Sequence, residues 1–344
     1  MSQLISLAEI QAARERIAST AVRTPLLRLS RARLRMAGWA ELSDSIPEIY
    51  LKDESAQPIG SFKLRGAYNK VRSLTPEQLK RGVITYSSGN HAQGVAYAAR
   101  ALGAKAVIVM PENAPRVKRE ATAALGAEIV TVGPASTERK LKAEELVAEH
   151  SYVMVPPYDD EAIIAGQATC GVEILEQLPN VDLVLAPVSG GGLLSGVATG
   201  IKLASEATGR EVPKVWGCEP ELSADAKESF DTKTLVEWPA AKTTRTIADG
   251  LRTQSLGERN FAHILRFVDG IVTVTEDEIR EALRVVLKAT SIVAEPSGAV
   301  TLAAALFHAQ ELPEARRIVA IVSGGNLDPD LRVELVEETA EVHA

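Results

Sequence analysis

Hydrophobic positions in this chain fall in short unbroken runs: EIYLK at 48–52, GVITY at 82–86, AVIVM at 106–110 and EIVTV at 128–132, then DLVLAPV, KVWGCEP, GIVTVT and RIVAIVSGG. Runs of this length, rich in Val and Ile and lacking a polar side, predict strands covered on both faces. Longer segments with helical spacing separate them, so the pattern predicts parallel sheets between helical layers, an open α/β architecture. The stretches AYAARALGAKAVIVM and ATAALGAEIVTVG repeat a helix, a Leu-Gly-Ala turn and a strand, which marks residues 82–132 as a compact sub-lobe. TVTEDEIREALRVVLKAT places a Thr before acids and apolar positions at helical spacing, a capped scaffold helix. No Pro/Ser-rich linker appears, and the only irregular stretches predicted are about 36–47 and 228–246, so two lobes are expected to interleave.

The composition narrows the class. Aromatic residues make up only 4% against 46% hydrophobic, so the core must be aliphatic and stacking platforms for bases are absent. With 38 basic and 45 acidic residues the net charge of −7 has the wrong sign for gripping phosphate backbones, and nucleic acid is not an expected partner. Cys170 and Cys218 stand far apart without metal-ligand spacing and read as reduced packing residues. The N-terminal MSQLISLAEIQAARERI carries charges where a leader needs an apolar run, and reads as an amphipathic helix. SIVAEPSGAVTLAAALF, interrupted by Glu295 and Pro296, is too short to span a bilayer. No membrane segment is expected, and a cytoplasmic enzyme fits.

Ligands of open parallel sheets sit beyond the carboxyl ends of the strands, so the residues after each strand carry the chemistry. Four junctions stand out: DESAQPIGSFKLRGAYN, SSGNHAQGVAYAAR, SGGGLLSGVATG and SGGNLD. The Ser189-Gly190-Gly191-Gly192 turn before a helix offers backbone N–H groups to a phosphate, or is simply a tight turn. It lacks the GxGxxG dinucleotide pattern, which counts against nicotinamide chemistry. Lys63, flanked by Phe62 and Leu64, is a surface lysine unless a phosphate loop and desolvation lower its pKa and make it a Schiff-base former. Ser87, Ser88, Asn90 and His91 open a helix, where they could seat a carboxylate or merely cap it. Ser323 offers a neutral hydroxyl at the last junction.

Taken together, Lys52-Asp53-Glu54, Gln57, GSFKLRGA, SSGNHAQG, MPENAPRVK, IAGQAT, PVSGGGLL, EPSGA and SGGN resemble the pyridoxal-phosphate enzymes of the threonine/serine dehydratase and serine racemase family, from Thr24 to Asn326. The resemblance implies fold type II, similar to the tryptophan synthase β chain: two open α/β lobes with parallel sheets and the site in the cleft between them. It assigns 1–75 and 156–344 to a large cofactor-binding lobe and 76–155 to a small mobile one. It implies that Lys63 binds pyridoxal phosphate as a Schiff base and exchanges protons with the substrate α-carbon. Phe62 would stack on the cofactor ring, and Asn90 would bond its hydroxyl. Ser189, Gly190, Gly191, Gly192 and Leu193 would cradle the phosphate, with Ser323 facing the pyridine nitrogen. Ser87, Ser88, Asn90 and His91 would hold the substrate.

The implied reaction is β-elimination from a β-hydroxy amino acid: L-threonine to 2-oxobutanoate and ammonia, or L-serine to pyruvate and ammonia. Threo-3-hydroxyaspartate elimination and serine racemisation are the alternatives, and a pyridoxal-phosphate sensor without turnover is the non-enzyme one. Ser88 matters here, because many threonine dehydratases carry alanine at this place and racemases use the serine as a second acid/base. Ser189 stands where many members have glycine. Glu219, Ser223 through its carbonyl and Asp225 match the family's Mg²⁺ or Ca²⁺ site, although the segment also reads as a plain acidic loop. Residues 29–31 match the racemase nucleotide contacts poorly, so ATP activation is not expected. The chain stops soon after Asn326, so feedback through an added C-terminal domain is not expected either. The partners expected are an amino-acid substrate and other copies of the chain, as a homodimer or homotetramer.

Overall fold

A computed structural model describes residues 3–39, 47–87, 89–112, 114, 116–133 and 136–334, with backbone alone at 136 and 137. Ten strands follow in chain order among these residues: β1 (Leu26–Leu29), β2 (Glu48–Asp53), β3 (Val83–Tyr86), β4 (Ala106–Pro111), β5 (Glu128–Val132), β6 (Val153–Met154), β7 (Leu183–Pro187), β8 (Lys214–Pro220), β9 (Gly270–Val274) and β10 (Arg317–Val322). They form a six-stranded sheet in the order β1-β2-β10-β7-β8-β9 and a four-stranded sheet in the order β5-β4-β3-β6. All neighbours are parallel except β1 and β2. The apolar runs located eight strands. They missed β1, an edge strand interrupted by Arg28, and β6, a two-residue strand too short to carry a pattern.

Successive residues of each central strand are buried on alternate faces, because both sides are covered. Leu183 and Leu185, with Ile318, Ala320 and Val322, face the helices Glu276–Ala289 and Pro296–Phe307. Val184 and Ala186, with Val319 and Ile321, face the helices Gly192–Thr208 and Glu258–Phe267. This is why the runs show no polar side. In the smaller sheet Val107 and Val109 pack with Ala143, while Ile108 and Met110 pack with Ala92, Val95 and Ala99 of the helix Asn90–Ala101. That second cluster continues into Leu64, Ala67 and Val71 of the helix Lys63–Arg72 and into Ile163, so the small sheet's core is shared with segments outside 76–155.

Local signals act as expected. Ser6 and Thr275 form capping boxes with Glu9 and Glu278 at the starts of Leu7–Ile17 and Glu276–Ala289. Both cysteines are free and buried. Among the described residues no helix is long and apolar enough to cross a membrane. One expectation is corrected: 228–246 is not continuously irregular, because the helix Asp225–Thr232 and the turn Ala240–Thr243 lie within or overlap it. Of the other irregular stretch, 40–46 lies outside the described residues.

Behind the helix Lys63–Arg72 lies a largely buried ionic knot. Arg65 donates to both oxygens of Glu54 at 2.8 Å, and from its other edge to Glu173 Oε1 at 2.7 Å and Oε2 at 2.8 Å. Lys52 Nζ donates to Glu173 Oε2 at 2.8 Å, to Gln177 Oε1 at 2.9 Å and to the Thr24 carbonyl at 2.9 Å. Burial alone would push the Glu54 carboxyl up, but the Arg65 charge outweighs it and holds the group at about 2. Because that value lies below the ordinary 4.5, the stabilisation is present above pH 4.5 and is lost as pH falls toward 2. Arg65→Met, which strands the buried Glu54 carboxylate and leaves Glu173 to Lys52 alone, is expected to cost about 3–5 kcal/mol in denaturant unfolding. A loss below about 1 kcal/mol, the range of exposed pairs, would show that the knot contributes little.

Candidate active site

The carboxyl ends of the strands in both sheets open onto one cavity of about 400 Å³. Its walls include Phe62 and Lys63, then Ser87, Asn90 and His91 after β3, Ser189, Gly190, Gly192 and Leu193 after β7, and Ser323 after β10. The four junctions singled out in the sequence therefore converge. Ser88 lies outside the described residues.

Lys63 is aimed by backbone pairing. Ser61 bridges Gly324, Phe62 N donates to Ser323 O at 3.0 Å, and Gly325 N donates to Gly60 O at 2.9 Å, so the GSFK and SGGN segments are stitched together. The helix then begins at Lys63 itself. Its ammonium donates to the Pro157 carbonyl at 2.8 Å, 5.3 Å from the Phe62 ring centre, and burial lowers its pKa to about 8. A desolvated amine of this kind is a competent carbonyl nucleophile.

The glycine turn leads into the helix Gly192–Thr208, whose N-cap, Gly191, has φ +93° and no side chain to occupy the first N–H groups. A Cβ on Gly190 would meet the Tyr158 ring at 2.5 Å, so only glycine lets that ring lie against the turn. Ser189 holds a left-handed φ of 57°, and its hydroxyl lies 3.2 Å from that of Thr253. The free N–H groups, the helix end and two hydroxyls together form an anion cradle.

The helix Asn90–Ala101 also starts without a side-chain cap, so its first N–H groups face the cavity. Asn90 accepts from Asn326 Nδ2 at 2.7 Å and donates to Glu295 Oε1 at 2.5 Å. Ser87 Oγ accepts from Gly89 N at 3.3 Å, a local turn and not a helix cap. His91 also lines the cavity. Burial and the nearby Lys63 charge push its pKa to about 3, so the ring is neutral. Nε2 lies 3.0 Å from the Val155 carbonyl and must carry the proton, which leaves Nδ1 a lone pair that repels a carboxylate. Any carboxylate contact of His91 is through its backbone N–H.

The sequence reading left several cavity residues without a role. Lys118, inside MPENAPRVK, and Glu295, inside EPSGA, lay in quoted motifs, and their sites after β4 and at a helix start were usable signals. Asp249, Thr253, Tyr158 and Arg139 carried no local signal, because loops and helices distant in sequence bring them to the cavity.

A family model described as pyridoxal-phosphate dependent enzyme matches residues 17–324. The chain belongs to this family. This pyridoxal-phosphate enzyme is 41% identical over 281 residues to an L-threo-3-hydroxyaspartate ammonia-lyase of Saccharomyces cerevisiae, covering 82% of this chain and 83% of the relative. It is 39% identical over 331 residues to the L-threonine dehydratase catabolic TdcB of Staphylococcus aureus, covering 95% and 90%. Among solved structures it superposes on a threonine deaminase from T.th. with TM-score 0.83 and 43% identity, covering 94% of this chain and 99% of that one. On maize serine racemase the TM-score is 0.87 at 33% identity, covering 99% of both. The fold is type II, the cofactor is pyridoxal phosphate, and the group holds ammonia-lyases, dehydratases and racemases. The cavity fits the cofactor: a buried amine without a carboxylate partner at one wall and the uncapped glycine cradle at another.

The candidate cation site lies at the end of β8. Glu219 and Asp225 are each 1% exposed, and Glu219 Oε1 and both Asp225 carboxylate oxygens have no hydrogen-bond partner. Burial drives the Glu219 carboxyl well above its usual range, with Asp225 repulsion adding to it, and burial takes Asp225 up to about 7. Ser223 Oγ donates to Leu251 O at 2.8 Å. Orphaned hard oxygens in this arrangement suit Mg²⁺ or Ca²⁺ with carbonyl and water oxygens completing the shell. Asp225→Ala is therefore expected to lower thermal stability when Mg²⁺ or Ca²⁺ is present and to change it little in chelator. Equal loss in both conditions would leave an acidic loop.

Proposed function

We propose that this enzyme eliminates the hydroxyl from a β-hydroxy amino acid and releases a 2-oxo acid and ammonia. L-Threonine would give 2-oxobutanoate, and L-serine pyruvate. The observation that carries this reading is the buried Lys63 amine, set beside an anion cradle and an uncapped helix start in one cleft. The ammonia-lyase and dehydratase relatives support the same class. Pyridoxal phosphate, when bound, supplies the electron sink that makes the substrate α-proton acidic.

Each residue has a task that follows from its position. Lys63 Nζ would hold the cofactor and, once displaced by the substrate amine, accept the α-proton, which departs with the β-hydroxyl as water. The N–H groups of Gly190, Gly192 and Leu193, with the Ser189 hydroxyl, would hold the cofactor phosphate; the Gly191 N–H, expected to join them, is given to the Val188 carbonyl at 3.1 Å. Phe62 would cover the ring, Asn90 would bond its hydroxyl, and Ser323 would offer the ring nitrogen a neutral group. Ser87, Asn90 and the His91 N–H receive the substrate carboxylate at the positive helix end. Glu219, Asp225 and the Ser223 carbonyl would hold a structural Mg²⁺ or Ca²⁺. In this reading residues 76–155 move as a small lobe against 1–75 and 156–344, and closure keeps water from the reacting carbon.

Racemisation is a second reading, favoured by Ser88 and by the likeness to the maize serine racemase. Racemisation needs an acid on each face of the cofactor. Ser88→Ala is expected to suppress L- to D-serine conversion by about 10²–10⁴-fold while pyruvate formation falls much less. Chiral chromatography beside a pyruvate assay reads both. Wild type yielding pyruvate without D-serine would end the racemase reading.

Lys63→Ala is expected to fold yet lose elimination by at least about 10²-fold. Undiminished 2-oxobutanoate production would refute the assignment. Because the neutral amine is the nucleophile and its pKa is about 8, covalent capture of pyridoxal phosphate by the apoprotein should quicken as pH rises toward 8 and level off above. A capture rate flat across this range would contradict the buried amine. Bound cofactor with no product from threonine, serine or threo-3-hydroxyaspartate would favour a sensor.

A further inference from the structure

The helix Arg116–Ala124 follows β4 in the four-stranded sheet and sends the buried Lys118 side chain into the cleft. There its Nζ lies 2.5 Å from Asp249 Oδ2 and 3.6 Å from Glu295 Oε2. Both acids come from connections of the six-stranded sheet: Asp249 opens the turn Asp249–Leu251, and Glu295 is the N-cap of Pro296–Phe307. Glu295 is reached a second time from the small sheet, by the Asn90 amide, whose oxygen in turn accepts from Asn326. A Cβ on Gly89 would lie 3.6 Å from Lys118 Cδ, so the lysine stem runs along the turn that presents Asn90.

The charges make this contact a requirement of closure. Asp249 and Glu295 face each other in a cavity wall, and burial raises Glu295 to about 7, opposed by Lys118 and worsened by Asp249. The groups facing Glu295 are the Lys118 ammonium, the Asp249 carboxylate and the Asn90 amide, with the uncharged Gly324 backbone beside it. The neutralising cation thus arrives on the opposite sheet. Were the sheets to part, two acids would be left side by side, and Asn90 would lose the acceptor that orients its amide.

We propose that Lys118 is a positioning residue that ties the two sheets across the cleft and, through Glu295, fixes the Asn90 amide for its contacts in the site. The proposal rests on reading the cleft as the β-elimination site. It is tested on the holoenzyme with Lys118→Met, Lys118→Arg and the near-isosteric Asp249→Asn, which breaks the shorter ion pair, leaves Lys118 beside Glu295, and should still quicken exchange in 116–124 if Lys118→Met fails to fold.

Lys118→Met should lower kcat/KM for the β-hydroxy amino acid by roughly 10²-fold, the scale of lost orientation. The acidic limb of the pH profile should move upward by about one unit, because Glu295 has lost its cation. Hydrogen exchange in apoprotein and holoenzyme should quicken in 116–124 and 87–91 but not in Pro296–Phe307. Lys118→Arg should recover most of the rate and the limb. A Lys118→Met rate within about twofold of wild type with unchanged exchange would overturn the proposal, since a lost positioning contact costs far more. So would an equal loss in Lys118→Arg with an unmoved limb. Wild type that forms no 2-oxo acid from any β-hydroxy amino acid would defeat the elimination reading instead, and the exchange comparison would still decide Lys118.

Discussion

Arg65, itself fully buried, is gripped along both edges of its guanidinium by Glu54 and Glu173, and much of the structure hangs on that grip. The two carboxylates come from the end of β2 and from the helix Glu161–Gln177, and Lys52 and Thr24 close the charge and hydrogen-bond balance. Removing Arg65 would leave Glu54 buried and unpaired, and removing Glu173 would do the same to Lys52, so these two ions hold the group together. Arg65 sits two residues beyond Lys63 in the first turn of the same helix, and this knot therefore fixes where the reactive amine starts. The stitching of Ser61 and Phe62 to Ser323 and Gly324 fixes the direction from which it emerges.

The same low-dielectric interior that makes the knot rigid supplies the chemistry. Burial lowers Lys63, keeps His91 neutral and raises Glu295 and Asp225. For Glu54 in the knot opposite charge outweighs desolvation, whereas for Lys63 and Asp225 desolvation wins. The difference separates groups that hold the fold from groups with protons or ligands to exchange. Lys63 has a carbonyl as its neighbour and no carboxylate, so its amine is freed of charge at an accessible pH.

The helix starts at Asn90 and Gly192 show how a weak local signal becomes a site. Each begins without a side-chain cap, an arrangement that leaves N–H groups unsatisfied. A solitary helix would fill that deficit with water or a Ser hydroxyl. Here the two starts open onto one cavity, where anionic groups of cofactor and substrate are the natural partners.

The sequence by itself determined the eight principal strands, their parallel arrangement and the four junctions that bear the chemistry. The reason is that double-sided burial and tight turns demand particular residues locally, as in Val319 and Ile321 on one face and Ile318 and Ala320 on the other. The GSFK and SGGG motifs were legible for the same reason, since backbone shape dictates glycine and small residues. The short strands β1 and β6 left too few residues to form a pattern. Tertiary structure alone decided that Lys118 meets Asp249 and Glu295, that Tyr158 lies on the glycine turn, and that His91 points Nε2 at Val155 and cannot donate from Nδ1. These are pairings between residues distant along the chain, and their protonation states follow from burial, which no single window of sequence encodes.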